Sequence, residues 1–161
     1  MLDDILDHHL NIVFCGTAAG AVSAKRNQYY AGPGNKFWPT LYKIGLTPRL
    51  LSPSEYRSVG QYGIGLTDVV KGQSGSDADI DFKSSNPQVL REKMLHYQPK
   101  ILAFNGKKSA QVFLGKTRIA LGLQTDMIGK TQLVVLPSTS GAANGFWQES
   151  TWFELAGLLD I

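Results

Sequence analysis

Short apolar segments alternate with longer amphipathic ones along this chain, a pattern that predicts strands interleaved with helices. Three apolar segments end in turns of small or polar residues and are predicted as strands: residues 11–15, 100–104 and 132–136. A fourth extended segment is predicted over residues 64–70, where neighbouring glycines blur the boundaries. Because strands separated by helices pair in parallel, the pattern predicts an α/β fold with a mostly parallel sheet.

Prolines and capping residues mark the predicted helices. Asn86 before Pro87 is typical of a helix start, and this helix should end before Pro99. Three further helices are predicted, over residues 35–44, 107–114 and 147–159. The acidic residues 77–81 are predicted to form an exposed loop. Since the sequence has no internal repeat or linker, we expect residues 1–161 to form one three-layer domain, a short central sheet flanked by helices.

The composition fits a packed intracellular domain. The 161 residues are 43% hydrophobic and 18% charged, enough to build a core without metals or cross-links. Cys15 is the single cysteine, so it cannot form an internal disulfide or a structural zinc site, and the histidines show no spacing suited to a metal. The acidic start of the chain and the lack of a long apolar segment lead us to expect a soluble, cytoplasmic protein without a membrane partner.

Positive charge is concentrated in the first half of the chain. The net charge is only +3, but residues 10–76 hold seven lysines and arginines against two acids, Glu55 and Asp68. Such an excess suits an anionic ligand. The alternative is that these charges are solvated surface groups that happen to cluster.

The turns that follow the predicted strands are the candidate ligand site, because ligands of open parallel sheets bind beyond the carboxyl ends of the strands. The first turn, residues 16–20 with the sequence GTAAG, has only small side chains, so its backbone N–H groups can approach a ligand closely. Residues 29–35, YYAGPGN, place two tyrosines before an exposed turn, where an aromatic ring can stack on a nucleobase. The alternatives are close packing of the first turn against the sheet and burial of one or both tyrosines.

Five sequence blocks occur in the order FCGTAAG, YAGPGNKFW, YGIGLTDVV, YQPKILAFNGK and LPSTSG. This order resembles the family of mismatch-specific uracil-DNA glycosylases and thymine-DNA glycosylases over nearly the whole chain, and the second and fourth blocks resemble the thymine-DNA glycosylase side closely. The resemblance implies a compact α/β domain with a short, mostly parallel sheet. It also implies an enzyme that flips a damaged or mismatched base out of duplex DNA and hydrolyses its N-glycosidic bond without a metal or cofactor.

The resemblance assigns roles to the first turn and to one tyrosine. Gly16, Thr17 and Ala18 correspond to the turn whose backbone N–H groups meet the base, and donors at Thr17 would stabilise the departing base anion. Tyr30 corresponds to the aromatic residue that stacks on the base.

Ala18 is also the main departure from the family. Strongly active members carry an asparagine at this position, which positions the attacking water, and a proline where this chain has Ala19. A methyl group cannot orient water, so the usual catalytic device of the family is excluded. Three outcomes remain: low activity, chemistry that relies on another polar group, or binding without cleavage.

Asp68 is the candidate for that other group. It follows Gly-Leu-Thr, where a family residue faces the edge of the flipped base. A carboxylate there could read the base edge, stabilise an oxocarbenium-like transition state or take a proton from water. The segment GLTD also resembles another uracil-DNA glycosylase branch, which has alanine in its first motif and in which catalysis is attributed to an aspartate in this region. The alternative is that Asp68 caps a helix or forms a salt bridge.

The serine-rich turn after the last predicted strand resembles the DNA-binding loop of the family, and two lysines follow the turn FNG. The residues predicted to bind DNA are Lys107, Lys108, Ser138, Thr139, Ser140, Gly141, Ala142 and Asn144. The alternative for the lysines is ordinary exposed surface charge. Ala142 stands where family members carry a larger wedge, so flipping should depend on an unstable base pair, a single strand, or nearby Asn144 and Phe146.

The expected function is that of a monomeric, monofunctional glycosylase. It should remove uracil and related deaminated or modified bases from DNA, leave an abasic site without strand scission, and so initiate base excision repair. One alternative is a lesion-binding module that kept the pocket and lost the chemistry, as Ala18 and Ala142 suggest. A more distant alternative is an unrelated α/β enzyme in which GTAAG is a nucleotide-binding loop.

Overall fold

The computed structural model describes residues 2–159, and at its centre is a five-stranded sheet. The strands are β1 (Ile12–Gly16), β2 (Ile64–Asp68), β3 (Ile101–Asn105), β4 (Gly122–Ile128) and β5 (Thr131–Leu136). Their order is β2-β1-β3-β5-β4, and the neighbouring pairs are parallel except β4 with β5. The predicted α/β fold with a mostly parallel sheet is confirmed, and β4 is an antiparallel edge strand that we did not predict.

Helices connect the strands. The α-helices of residues 2–159 are α1 (Ala21–Arg26), α2 (Phe37–Lys43), α3 (Pro87–Tyr97), α4 (Lys107–Leu114) and α5 (Glu149–Leu158). Shorter 3-10 helices cover Pro53–Tyr62, Asp77–Asp79, Phe82–Ser84 and Gly141–Phe146. The start of α3 is confirmed, because the Asn86 side chain accepts a hydrogen bond from the N–H of Gln88 and Pro87 is the first helical residue. Across the described residues, no helix has both the length and the apolar character that a membrane span requires.

The sheet is buried on both faces. Phe14 of β1 packs with Phe37 of α2 and Trp152 of α5, and the rings of Phe14 and Trp152 stack with their centroids 5.6 Å apart. The next residue, Cys15, points to the opposite face and joins a second cluster with Met94 of α3. Strands covered on both sides have apolar residues at every position, as β1 does, and the predicted three-layer arrangement is confirmed.

The order of the strands creates a crevice at one end of the sheet. β1 lies between β2 and β3, so the connections that leave β1 and β2 run to opposite sides of β1. The loops beyond the carboxyl ends of such strands separate and leave room for a ligand. Gly16, Asp68 and Asn105 are the last residues of β1, β2 and β3, and all three line the cleft that forms there.

Candidate active site

A cleft of about 610 Å³ opens beyond the carboxyl ends of the parallel strands. It gathers nearly every residue that the sequence singled out. The predicted residues that line it are Gly16, Thr17, Ala18, Tyr30, Asp68, Lys107, Lys108, Ser138, Thr139, Ser140, Gly141 and Ala142. Asn144 is not among the lining residues, although it lies on the same 3-10 helix as Gly141 and Ala142.

Asp68 lies at the floor of this cleft. It is the register partner of Gly16, and its side chain is only 5% exposed. Its Oδ1 lies 3.0 Å from the point that a β-carbon on Gly16 would occupy, and its Oδ2 lies 3.1 Å from Nζ of Lys71. Burial raises the pKa of Asp68, and the Lys71 ammonium partly opposes that rise. The salt-bridge alternative for Asp68 is therefore also realised, within the cleft itself.

Lys71 connects Asp68 to the N-terminal segment. Its ammonium lies 2.8 Å from Oδ1 of Asp4, donates to the Tyr29 hydroxyl at 3.1 Å and donates to the Leu2 carbonyl at 3.1 Å. Burial disfavours the charge of Lys71, but the carboxylates of Asp68 and Asp4 outweigh burial and raise its pKa. We did not predict the ion pair between Lys71 and Asp4, because 67 positions separate these residues in the chain and no local sequence pattern links them.

Ion pairs and hydrogen bonds fix the position of the Asp4 carboxylate. Burial alone would raise its pKa, but the Lys71 charge and hydrogen bonds from Lys71, Lys93 and Thr67 lower it below the ordinary value. The Thr67 hydroxyl donates to Oδ1 of Asp4 at 2.7 Å, and Nζ of Lys93 lies 2.5 Å from Oδ2. The segment around Asp4 is also fixed by backbone hydrogen bonds between Ile5 and Leu66 at 2.8 and 2.9 Å. Asp68 is thus one end of a chain of alternating charges.

The loop after β2 forms hydrogen bonds with the first turn. The Thr17 hydroxyl donates to Oδ1 of Asp77 at 2.8 Å, and the carbonyl of Ala19 accepts from the N–H of Gly75 at 3.0 Å. Asp77 is exposed, as predicted for the acidic segment, but it lies against the first turn and lines the cleft. The description of residues 77–81 as only an exposed loop was therefore incomplete.

Tyr30 has an unusual position at the wall of the cleft. Its backbone φ is +53°, in the left-handed region that residues other than glycine rarely adopt. One ring face stacks on Phe37 with the centroids 4.0 Å apart, so a base could stack only on the other face. The Tyr30 hydroxyl is buried and has no hydrogen-bond partner among residues 2–159. Burial, followed by the negative charge of Asp68, raises its pKa well above the ordinary value, so the group stays protonated.

Asn105 and Thr139 cross-link the ends of β3 and β5. The Asn105 amide donates to the Thr139 hydroxyl at 2.9 Å, and the Thr139 N–H donates to Oδ1 of Asn105 at 3.0 Å. Thr139 is 1% exposed. Its hydroxyl is buried against Asn105 and holds the serine-rich turn in place, and the predicted contact of Thr139 with DNA stays a prediction.

The rest of the predicted DNA surface lies on the rim. Lys107 and Lys108 are exposed at the start of α4, and the Lys108 ammonium lies 4.6 Å from the centre of the Phe82 ring. The Ser138 and Ser140 hydroxyls accept hydrogen bonds from the N–H groups two residues further on, both at 3.2 Å. These bonds shape the turn and use each hydroxyl only as an acceptor, so the O–H groups of both serines and the two lysine ammonium groups can donate to a phosphate.

The end of the same turn carries an exposed aromatic side chain. The Asn144 side chain accepts a hydrogen bond from the Lys36 ammonium, and the Trp147 ring packs at a tilt against Trp152 of the core, with centroids 6.1 Å apart. Phe146, between these two anchors, is 81% exposed.

Within residues 2–159, no group of three or more histidine, cysteine or acidic side chains is arranged to hold a metal ion.

A solved structure shares this fold. A solution NMR structure of a Methanosarcina acetivorans protein, provisionally assigned as a uracil DNA glycosylase, superimposes with a TM-score of 0.65. The two sequences are 24% identical, and the match covers 99% of this chain and 97% of that one, so the likeness extends over the whole fold. The sequence profile of the Uracil DNA glycosylase superfamily matches residues 4–156. Because this profile covers most of the chain, the chain belongs to the uracil DNA glycosylase superfamily.

Proposed function

We propose that this protein is a monofunctional DNA glycosylase of the mismatch-specific and thymine-DNA glycosylase type. It hydrolyses the N-glycosidic bond of uracil and related deaminated bases in DNA, acting as a monomer without a cofactor. One observation carries the proposal: the buried Asp68 carboxylate adjoins the small-residue turn at the floor of a cleft large enough for a flipped base.

The charge of Asp68 suits this reaction. As the N-glycosidic bond breaks, positive charge develops on the sugar, and a carboxylate beside it stabilises that charge. Lys71 favours the ionised form, while burial keeps the pKa of Asp68 above its ordinary value. A carboxylate of raised pKa is also a better proton acceptor for the attacking water. Asp68 can therefore activate the attacking water, a role that Ala18 cannot fill because its side chain is a methyl group.

The first turn would receive the base. Gly16, Thr17 and Ala18 line the cleft, and their small side chains let a base approach the backbone N–H groups. Hydrogen bonds from such groups oppose the negative charge that grows on the departing base. Asp77 fixes Thr17 by accepting a hydrogen bond from its hydroxyl, so the turn needs little rearrangement when a base enters.

Water is the proposed nucleophile. Lys71 is the amine that contacts Asp68, and its ammonium is held between two carboxylates, which keeps it protonated and unable to attack the sugar. Hydrolysis by water leaves an abasic site in an unbroken strand. Lys107 and Lys108 on the rim would hold the flanking phosphates.

A second candidate function is a module that binds a lesion without cleaving it. Ala18 and Ala142 favour it, since neither side chain can orient water or fill the gap left by a flipped base. This module would use the same cleft and the same rim, and it differs from the enzyme only in turnover.

A single-turnover assay separates the two candidates. End-labelled oligonucleotides carry one uracil, in a single strand or opposite guanine or adenine, and a matched oligonucleotide carries thymine. Incubation with excess protein and a chelator is followed by alkali, which cuts at abasic sites. The glycosylase proposal predicts alkali-dependent cleavage at uracil. Tight binding to the uracil DNA without any cleavage would instead support the binding module.

A further inference from the structure

The Lys71 ammonium is shared between two carboxylates from distant parts of the chain. Its nitrogen lies 2.8 Å from Oδ1 of Asp4 and 3.1 Å from Oδ2 of Asp68. The Tyr29 hydroxyl and the Leu2 carbonyl accept hydrogen bonds from the same ammonium, each at 3.1 Å. Because an ammonium has only three hydrogens, these oxygen atoms compete for it. Asp68 therefore does not have the Lys71 charge to itself, and Asp4 is the nearer of the two carboxylates.

Asp4 is the better stabilised of the two carboxylates. The Thr67 hydroxyl donates to Oδ1 of Asp4 at 2.7 Å, and Nζ of Lys93 lies 2.5 Å from Oδ2, so Asp4 lies between two ammonium groups. Asp68 shares one ammonium, and its side chain is 5% exposed against 16% for Asp4. Since deeper burial and weaker pairing both disfavour a charge, Asp68 keeps the higher affinity for a proton.

The backbone of the N-terminal segment places Asp4 beside the strand that carries Asp68. Ile5 and Leu66 of β2 form an antiparallel bridge, with N–H to carbonyl distances of 2.8 and 2.9 Å. Asp68 is the last residue of the same strand. Leu2, at the other side of Asp4, is buried and lines the cleft. The position of the Asp4 charge is therefore set by the strand on which the candidate catalytic residue lies.

We propose that Asp4 is a positioning residue of the active site, which shares the Lys71 ammonium with Asp68 and so leaves the Asp68 carboxylate able to take a proton from the attacking water. This inference rests on the proposed glycosylase function. If Asp4 carried no charge, Lys71 would pair with Asp68 alone, and a carboxylate in a full ion pair is a weak base. If Lys71 carried no charge, the buried Asp68 would be protonated over a wider pH range.

The proton is transferred to Asp68 and not to Asp4. The bond between the anomeric carbon and the base nitrogen breaks, and its electron pair leaves with the base. The water oxygen bonds to the anomeric carbon, and one water proton passes to Asp68. Solvent then takes that proton from Asp68 and protonates the released base. Asp4 and Lys71 keep their charges throughout, so Asp4 acts only through its effect on Asp68.

The other titratable groups near Asp68 do not share this role. Lys93 contacts Asp4 rather than Asp68. One thiol and two hydroxyls are buried nearby, and burial raises the pKa of each, so they stay neutral: Cys15, Tyr29 and Tyr30. Lys71 and Asp4 therefore remain as the charges that set the proton affinity of Asp68.

Asp4→Asn tests the inference, because it keeps the shape of the side chain and removes its charge. We expect the rising limb of the single-turnover rate–pH profile on uracil DNA to move to lower pH by about one unit, since a like charge is lost and Lys71 pairs fully with Asp68. The rate above the limb should fall by about threefold, because Asp68 becomes a weaker base. DNA affinity should stay within about twofold of wild type, since Asp4 does not line the cleft.

Two further variants separate this effect from a loss of structure. Asp4→Glu keeps the negative charge and should bring the limb back toward wild type. Asp3→Asn makes the same change at the neighbouring exposed residue and should leave the profile unchanged. If Asp4 only held the segment in place, its loss would free Lys71 and move the limb to higher pH. A limb that stays in place or moves to higher pH in Asp4→Asn would overturn the inference.

A carboxyl titration followed by carbon-13 NMR gives a readout without DNA, and Asp68→Asn identifies the Asp68 signal. In wild type, Asp68 should take up its proton at higher pH than Asp4, and in Asp4→Asn the Asp68 titration should move to lower pH. The opposite order in wild type would overturn the inference even if the variant failed to fold. Failure of wild type to cleave uracil DNA would refute the glycosylase proposal, and the titration would still decide whether Asp4 controls Asp68.

Discussion

Gly16 and Asp68 are register partners at the ends of β1 and β2, and Oδ1 of Asp68 lies 3.0 Å from where a Gly16 β-carbon would be. This distance is shorter than an ordinary van der Waals contact, so only glycine leaves the carboxylate in its present position. Gly16 therefore has two roles. It leaves room for the Asp68 carboxylate of the neighbouring strand, and its lack of a side chain lets a ligand approach the first turn.

Gly16→Ala should displace the carboxylate while preserving the fold. We expect single-turnover cleavage of uracil DNA to fall by about 10- to 100-fold, because small misplacements of a catalytic group are costly. Gly157→Ala is the control, since an added β-carbon there meets no atom within 4 Å. Equal cleavage by both variants would show that the position of Asp68 does not matter for the reaction.

Lys71→Met should shift the pH dependence of cleavage. The Lys71 charge opposes the rise that burial causes in the pKa of Asp68, so its removal should raise that pKa further. If ionised Asp68 is required, the rising limb of the rate–pH profile moves to higher pH. The profile is measured under single-turnover conditions, with thermal unfolding as a check on folding.

Two further variants make the pH experiment decisive. Lys71→Arg keeps the positive charge and should keep the rising limb close to that of wild type. Lys93→Met removes an ammonium that contacts Asp4 rather than Asp68 and should shift the limb less than Lys71→Met. An unchanged profile in Lys71→Met would mean that Asp68 does not set the pH dependence.

The paired substitution Lys107→Ala and Lys108→Ala should weaken DNA binding through lost phosphate contacts. The slope of log binding constant against log salt should become less steep by about two, since each duplex phosphate contact contributes about 0.9. The control is the pair Lys100→Ala and Lys130→Ala, which are exposed at the amino end of β3 and in the β4–β5 turn. Identical slopes for both pairs would remove the α4 lysines from the DNA interface.

Phe146→Ala should impair action on duplex DNA more than on single strands. Phe146 is 81% exposed at the end of the turn where Ala142 offers only a methyl group, and exposed aromatic side chains can insert between base pairs. We expect cleavage of uracil in a duplex to fall by at least about tenfold, the equivalent of about 1.4 kcal/mol of flipping energy. Phe153→Ala, at a 45% exposed residue of α5, is the control. Equal losses on duplex and single-stranded substrates would argue against insertion.

Much of the fold could be predicted because the inner strands are buried on both faces. β1, β3 and β5 are therefore short apolar segments that end at recognisable turns. We did not predict β4 because it is an edge strand, in which the half-exposed Leu123 and Met127 are separated by the polar residues 124–126.

The candidate site was predicted less completely than the fold. The turns after the strands could be located from the pattern, and the cleft brings them together. The ion pairs of Lys71 and Asp4 depend on tertiary packing between distant segments, and no sequence period encodes such a contact. The buried Thr139 hydroxyl and the unpaired Tyr30 hydroxyl are likewise side-chain details that a residue type alone does not determine.

We propose that Asp68 performs hydrolysis in an enzyme with alanine at position 18. The most direct test compares wild type and Asp68→Asn in single-turnover reactions on uracil oligonucleotides, with binding to the same DNA and thermal unfolding measured in parallel. We expect alkali-labile sites at uracil with wild type, and cleavage at least about 100-fold slower with Asp68→Asn, at similar DNA affinity. Cleavage by Asp68→Asn at the wild-type rate would contradict it.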